Sequence, residues 1–239
     1  MQTELQIEPN TFVVGKNGDQ QSFLGINKPS GIKKLHHVMD GLISVEPRNS
    51  EQRFAIEALL DPTIPLVTLT GLAGSGKTFL ALMAGLHGLK HSHKSGTVND
   101  VMPEEFKTGF ERLVMPILDN VRHAFKDISY FKLMIENGEI EVAPIPYIRG
   151  RTFNNSFVIV DEAQNATIHE LKTIITRIGT GAKIVLLGDI DQIDTPYIDR
   201  QSSGLSIVID RFRNSNLAAH INLSKGQRSD LASAAGLIL

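Results

Sequence analysis

The stretch Gly71-Leu72-Ala73-Gly74-Ser75-Gly76-Lys77-Thr78 decides the fold, because it matches the pattern G-x-x-x-x-G-K-[ST] at every fixed position. Glycines in this pattern let the backbone bend so that its N–H groups point inward at phosphate oxygens, and the dipole of the following helix adds partial positive charge. We expect Lys77 to reach the β- and γ-phosphates of a nucleotide and the Thr78 hydroxyl to bind Mg²⁺. Phe79, the next residue, completes the predicted nucleotide-binding set.

The sequence on both sides of this stretch has the pattern that such a loop requires. Pro65–Thr70 is an apolar, β-rich run that leads straight into the glycines. Lys77–Lys90 carries apolar residues at i, i+3, i+4 and i+7, which is the spacing of a helix with one buried face. A glycine-rich turn that matched by chance would lack this context, so residues 71–78 predict a phosphate-binding loop.

Further outward, strands and amphipathic helices alternate along the chain. We predict a helix over Ser50–Leu60 capped by Asn49, and a second helix around Phe110–Val121 that is interrupted at Pro116. Buried strands are predicted at Phe157–Val160 and Lys183–Leu187. The capping box Thr167/Glu170 opens a further helix, which ends at Gly179 and buries Leu171, Ile174, Ile175 and Ile178. This alternation predicts an α/β fold: a mostly parallel sheet with helices on both faces.

The first 45 residues differ from the rest. Thr11–Val14 and Gln21–Ile26 are short extended candidates on either side of an Asn-Gly turn signal at Asn17. A loose stretch with several glycines and prolines follows. We interpret residues 1–45 as an N-terminal β-hairpin and linker, and residues 46–239 as one domain.

Composition narrows the class of protein. The net charge of −2 argues against nucleic-acid binding through bulk positive charge. The chain has no cysteine, no run long enough to span a bilayer and no N-terminal signal-peptide pattern, so we expect a cytoplasmic protein without membrane contact. Its eight histidines show no metal-ligand spacing, and His91 and His93 belong to a small basic patch that we interpret as a solvated loop.

Asp161 and Glu162 directly follow the apolar run Phe157–Val160. An aspartate at the carboxyl end of a parallel strand lies beside the phosphate loop, where it can hold Mg²⁺ directly or through water. Glu162 is placed to orient the attacking water or accept its proton. Such a pair alone commonly just ends a strand, but together with the phosphate loop it predicts a metal ligand and a catalytic carboxylate. It also favours a hydrolase over a small-molecule kinase, whose substrate is the nucleophile.

A third polar turn follows the strand at Lys183–Leu187. Gly188-Asp189-Ile190-Asp191-Gln192 is weak evidence alone, since any polar turn would look similar. Its place at a strand end makes Gln192 our candidate for a residue that senses the γ-phosphate, with Asp189 in support.

These segments together resemble the PhoH-like ATPases, relatives of the RecA-like core of superfamily-one helicases. The likeness rests on order, spacing and flanks over about residues 46–239, in the segments EPRNSEQRFAIEALLDPTIPLVTLTG (46–71), GLAGSGKT (71–78), RGRT (149–152), FVIVDEAQN (157–165), KTIITRIG (172–179), LLGDIDQID (186–194) and LSKGQRSDLA (223–232). The resemblance implies a RecA-like P-loop fold and is greatest to the ATPase half of PhoH proteins with an N-terminal PIN nuclease domain. We see no PIN domain here and expect a stand-alone form or a fragment.

The resemblance fails at one segment. Family members usually have a second strand after the phosphate-loop helix, followed by an Arg-Pro motif and a glycine-rich stretch. Residues 91–100 contain no such strand. Because this region contacts the nucleic-acid strand in helicases, we expect ATP hydrolysis to be retained and strand translocation to be affected.

The resemblance also suggests roles for lesser residues. Gln52 matches a glutamine that reads adenine in superfamily-one helicases, and we favour that role; lying three residues after Asn49, it could alternatively complete a helix N-terminus. Arginines in the family-like segments are candidates for a cation supplied to a neighbour's γ-phosphate, with Arg177 and Arg228 ahead of Arg149 and Arg151. A surface role is the alternative for each.

The sequence leaves three functions open. The first is a Mg²⁺-dependent ATPase coupled to RNA or single-stranded DNA; the resemblance implies a homo-oligomeric ring, a hexamer, that completes its sites between subunits. The second is a P-loop kinase of a small phosphate acceptor, which Asp161-Glu162 disfavours. The third is a nucleotide-dependent binding module that regulates a separate nuclease, which the intact Lys77, Thr78, Asp161 and Glu162 disfavour.

Overall fold

A computed structural model describes residues 7–16, 22–41, 44–91, 129–141, 150–195 and 198–225. In chain order its elements are β1 Phe12–Lys16, β2 Ser22–Lys28, β3 Gly31–Lys34, α1 Ser50–Leu60, β4 Leu66–Gly71, α2 Lys77–His91, α3 Ser129–Glu136, β5 Phe157–Val160, α4 Ile168–Ile175, β6 Lys183–Gly188, α5 Gly204–Phe212 and β7 Ala218–Leu223, with a short 3-10 helix at Ala163–Asn165. The predicted helix around Phe110–Val121 lies outside the described residues.

The four strands β5, β6, β4 and β7 form one parallel sheet in that order. Strands β4 and β6 are buried almost throughout because helices cover both faces. Since parallel strands end at the same edge, the residues at the carboxyl ends of β4, β5 and β6 gather there. These are Gly71, Asp161 and Asp189, the positions on which the three predicted motifs depend. The predicted α/β fold class, a mostly parallel sheet with helices on both faces, is confirmed.

Alternate residues of the strands face two separate cores. On one face Val67 and Leu69 of β4 pack with helices α1 and α2, while on the other face Leu66 packs with α4 and α5. Strand β6 alternates in the same way, with Val185 and Leu187 in the first core. This period of two is the reason that continuous apolar runs predicted the buried strands.

Two details of the predicted elements were wrong. Strand β5 was expected to be fully covered, but Phe157, Val158 and Ile159 are half-buried, because in the described part of the chain β5 has a strand neighbour on one side only. Helix α4 opens with the predicted capping box but ends at Ile175 rather than at Gly179. The backbone after α4 pairs instead with Phe153, which donates to the Arg177 carbonyl and accepts from the Gly179 N–H.

The N-terminal sheet has three antiparallel strands instead of the predicted two. Strand β3 escaped prediction because its four residues are all exposed and carry no alternating pattern. The sheet packs on the rest of the molecule: the Phe12 ring stacks on Phe54 of α1 at 4.8 Å, and Ile26 is buried in the core shared by α1 and α2. Within the described residues, no helix combines the length and apolarity needed to cross a membrane.

Candidate functional site

The loop between β4 and α2 has the backbone that its glycines require. Gly71 has φ +136° and Gly76 has φ +93°, conformations that side-chain-bearing residues rarely adopt. A Cβ on Gly71 would also lie 2.2 Å from the carbonyl oxygen of Leu223 at the end of β7. Leu72, Ala73 and Gly74 are exposed at the tip of the loop, where a nucleotide has access.

Lys77 and Thr78 begin helix α2 and face the loop and β5. The Lys77 ammonium donates to the carbonyl oxygens of Gly71 at 2.6 Å and Leu72 at 3.0 Å. Its positive charge therefore lies against the backbone at the start of the loop. The Thr78 hydroxyl donates to Asp161 Oδ2 at 3.1 Å. The structure thus brings together the two residues that the sequence proposed as metal ligands, although they are 83 positions apart.

The donor set at Thr78 and Asp161 fits Mg²⁺. Mg²⁺ prefers hard oxygen ligands at about 2.1 Å in octahedral geometry, which sets neighbouring ligand atoms roughly 3 Å apart. The hydroxyl and carboxylate oxygens lie at that separation. Desolvation by the surrounding protein raises the pKa of the Asp161 carboxyl, and the adjacent Glu162 charge adds to the rise, against hydrogen bonds from the Glu162 N–H and Thr78. A cation at this position would favour the charged carboxylate.

Glu162 has a strained backbone. Its φ of 51° and ψ of 35° lie in the left-handed region, which costs a non-glycine residue of order 1 kcal/mol or more. Its N–H donates to Asp161 Oδ1 at 3.0 Å, and its Oε2 accepts from Gln164 Nε2 at 2.6 Å. The turn therefore directs two successive carboxylates to the edge where the phosphate loop lies.

Gln164 is the residue that sequence reasoning missed. Its side chain is buried, with 1% of the residue exposed, and it bonds in two directions. Nε2 donates to Glu162 and to the Gln192 carbonyl at 3.0 Å, while Oε1 accepts from the Asp189 N–H at 3.2 Å. Gln164 therefore links the β5 turn to the β6 turn. Its only sequence signal was its place in the FVIVDEAQN segment, where a buried glutamine cannot be told from a solvated one.

The β6 turn holds Asp189 and Gln192 close to that network. Asp189 is 5% exposed; its Oδ1 accepts from the Asp191 N–H, and its Oδ2 has no hydrogen-bond partner among the residues that the structure describes. Gln192 joins the network through its main-chain carbonyl, and its side chain is exposed. Its γ-phosphate-sensing role remains a prediction.

Gln52 contacts the phosphate loop and also caps its own helix. Its amide Nε2 donates to the Ser75 carbonyl at 3.3 Å, and its Oε1 accepts from the Arg48 N–H at 2.9 Å. The Asn49 side chain accepts from the Gln52 N–H, as predicted for the helix cap. The adenine-reading role stays a prediction, since both proposed roles suit this geometry. Phe79 is half-buried and packs against the core.

The structure does not bring Arg177 to the phosphate loop of its own chain. Arg177 follows α4 and pairs with Phe153, before the start of β5, so it lies toward the edge where strands begin. Its Nε is buried and lacks a partner among the described residues. Arg151 forms a bidentate ion pair with Glu141. Arg149, Arg228, His93 and the segment 92–100 lie outside the described residues.

Comparisons with known proteins find similar sequences over most of this chain. The sequence model of the family described as PhoH-like protein matches residues 44–235. Protein PhoH2 of Bacillus subtilis (strain 168) is 39% identical over 97% of this chain and 57% of its own length. Protein PhoH2 of Thermobispora bispora is 32% identical over 77% of this chain and 45% of its own length.

The chain thus spans about half the length of the curated relatives it matches. A solved structure of unliganded Pif1 from Bacteroides sp aligns with 77% of this chain and 43% of that chain at 16% identity. The TM-score of this alignment is 0.32, so the two folds are only weakly alike overall.

Proposed function

Because this chain belongs to the PhoH-like protein family, we propose that it is a Mg²⁺-dependent ATP hydrolase whose chemistry is carried out by the loop 71–78 and the Asp161-Glu162 turn. The observation that carries the proposal is the 3.1 Å contact between the Thr78 hydroxyl and Asp161, one residue from Glu162. That contact supports the proposal because it joins the two proposed metal ligands beside the loop 71–78 and Glu162.

Each residue of the site has its own role in the proposed hydrolysis. Backbone N–H groups of the loop and the Lys77 ammonium bind the phosphates, and Thr78 and Asp161 would hold Mg²⁺. Mg²⁺, when bound, neutralises charge on the phosphate oxygens. Glu162 Oε2 is held by Gln164, whereas Oε1 has no hydrogen-bond partner among the described residues, so Oε1 is the atom that accepts the proton of the attacking water.

Coupling to RNA or single-stranded DNA in a ring-shaped homo-oligomer, with six subunits, is part of the same proposal. The position of Arg177 away from its own phosphate loop supports a role toward a neighbouring subunit. The net charge of −2 favours a local contact surface for nucleic acid over a broad basic one. A cytoplasmic location is part of the same proposal, because the proposed reaction consumes ATP.

Phosphate release tests the proposal directly. We expect ATP hydrolysis that requires Mg²⁺, disappears with EDTA and increases on adding RNA or single-stranded DNA but not duplex. Lys77→Ala should weaken ATP binding and turnover together, because it deletes a phosphate contact made before and during the reaction. Transfer of the phosphate to a small acceptor with no release to water would instead establish a kinase.

A further inference from the structure

Two histidines of the segment after β3 meet a buried glutamate of α1. His36 Nδ1 lies 3.2 Å and His37 Nδ1 lies 2.9 Å from Glu57 Oε1. The three ligand atoms lie within 4.8 Å of one another, and the two imidazole rings lie side by side with centroids 3.9 Å apart. Three potential metal donors therefore converge on one point. Sequence spacing could not show this, since Glu57 follows His37 by 20 positions.

The two carboxylate oxygens of Glu57 have different partners: Oε1 faces the imidazoles, and Oε2 faces main-chain N–H groups and an arginine. Glu57 Oε2 accepts hydrogen bonds from the N–H groups of His36 and His37 at 3.0 and 2.9 Å and from Arg53 Nη1 at 3.3 Å. The residue is 1% exposed. These bonds fix the carboxylate and turn Oε1 toward the two imidazoles, as outer hydrogen bonds do for metal-binding carboxylates.

The spacing suits a tetrahedral ion. Zn²⁺ binds histidine nitrogen and carboxylate oxygen at about 2.0–2.2 Å, so the two nitrogen–oxygen separations correspond to ligand–metal–ligand angles of roughly 90–105°. The His36 side chain is 72% exposed, which gives an ion a path in and leaves a fourth position for water. Two imidazoles and one carboxylate match the ligands that Zn²⁺ prefers and Mg²⁺ does not.

We propose that His36, His37 and Glu57 form a Zn²⁺ site, separate from the Mg²⁺ position at Thr78 and Asp161. Arg53 offsets part of the carboxylate charge, which disfavours a hard ion held by charge alone and favours one held by neutral imidazoles. The bound ion joins the segment after β3 to α1 by coordination bonds.

The test uses tag-free full-length chain, dialysed against a chelator and titrated with Zn²⁺, Co²⁺ or Mg²⁺. We expect calorimetry to show Zn²⁺ binding and Co²⁺ to give the intense visible absorption of a tetrahedral site, with no competition from Mg²⁺. His36→Asn should weaken Zn²⁺ binding by at least about tenfold and abolish the Co²⁺ band, since it removes a ligand. His36 is largely exposed, so this variant should fold normally.

The matched control is His169→Asn, which replaces an exposed histidine on α4 and should bind Zn²⁺ like the wild type. Zn²⁺ should also raise the Tm of the wild type and of this control but not that of His36→Asn. Equal Zn²⁺ affinity in all three proteins would overturn the site. So would a loss of stability in His37→Asn that is the same with and without Zn²⁺, because it would show that His37 only hydrogen-bonds to Glu57 and binds no ion.

Discussion

At the scale of single residues, the proposed hydrolysis makes Glu162 the side chain on which we expect turnover to depend. Glu162→Gln keeps the size and the hydrogen bonding of the side chain but removes its basicity. We expect ATP binding to stay nearly unchanged and kcat to fall by roughly 10²-fold or more, the scale of a lost general base. Binding is measured with a fluorescent ATP analogue and turnover by phosphate release. Undiminished hydrolysis would exclude Glu162 as the base.

We propose that Gln164 positions Glu162 for the reaction, so its substitution should change the pH profile of hydrolysis. Gln164→Glu replaces the donor 2.6 Å from Glu162 Oε2 with a second carboxylate. Repulsion between the two like charges should move the acid limb of the kcat/KM profile to higher pH. Gln164→Leu, which adds no charge, should lower kcat without that displacement. If the acid limb lay at the same pH in both variants, Gln164 would not act through Glu162.

Gln52 offers a test of base choice. If its amide reads the adenine edge, Gln52→Ala should weaken ATP binding more than GTP binding. If Gln52 only supports the helix cap and the Ser75 carbonyl, both nucleotides should lose affinity equally. Competition titrations with ATP and GTP on both proteins decide between these roles. Asn49→Ala is the control, since it removes the cap and leaves the Gln52 side chain in place.

At the scale of elements, Asp61 fastens the N-terminal sheet to the end of α1. Burial alone would raise its pKa, but hydrogen bonds from Lys28 and Thr63 outweigh that effect and lower the pKa from 3.8 to about 2. Because the folded pKa is depressed, this contribution is present above about pH 4 and is lost as the pH falls toward 2. A shift of that size corresponds to about 2 kcal/mol.

We therefore expect Asp61→Asn to lower the free energy of unfolding by about 2 kcal/mol at neutral pH, with the difference from wild type shrinking between pH 4 and pH 2. Urea unfolding across this range measures it. Asp210→Asn removes an exposed partner of Arg213 and should cost less than about 1 kcal/mol at every pH. If the free energy of unfolding of Asp61→Asn differed from that of the wild type by the same amount at every pH, the difference would not come from the charge of Asp61.

The same scale shows what sequence could and could not predict. The P-loop, α1 with its Asn49 cap, and the central strands followed from patterns carried by consecutive residues. Strand β3, the early end of α4 and the half-buried β5 depended on pairing partners far along the chain. The contact of Thr78 with Asp161 could be anticipated from parallel strand ends, whereas the bonds of Gln164 and the approach of His36 and His37 to Glu57 needed the fold.

At the scale of the whole molecule, the predicted shared site can be tested by mixing subunits. We expect activity per chain to rise with protein concentration as rings form, and Arg177 or Arg228 to be required in trans, since a cation at the γ-phosphate raises hydrolysis by roughly 10³–10⁵-fold in related enzymes. Lys77→Ala subunits keep their arginines but lack a working loop. Mixed with an arginine variant, they should restore hydrolysis. If the protein sediments as a monomer at all concentrations and its activity per chain stays constant, the site is not shared between subunits.

The contact between Gly71 and Leu223 has a mechanical consequence. The first residue of the phosphate loop lies so close to the end of β7 that a single methyl group would not fit between them. Ser224, the next residue, donates through its N–H and its hydroxyl to Glu51 in the first turn of α1. A pulling force on the chain beyond Ser224 would therefore be transmitted to the phosphate loop and to α1, which carries Gln52. Such a force would change the geometry of the proposed nucleotide site.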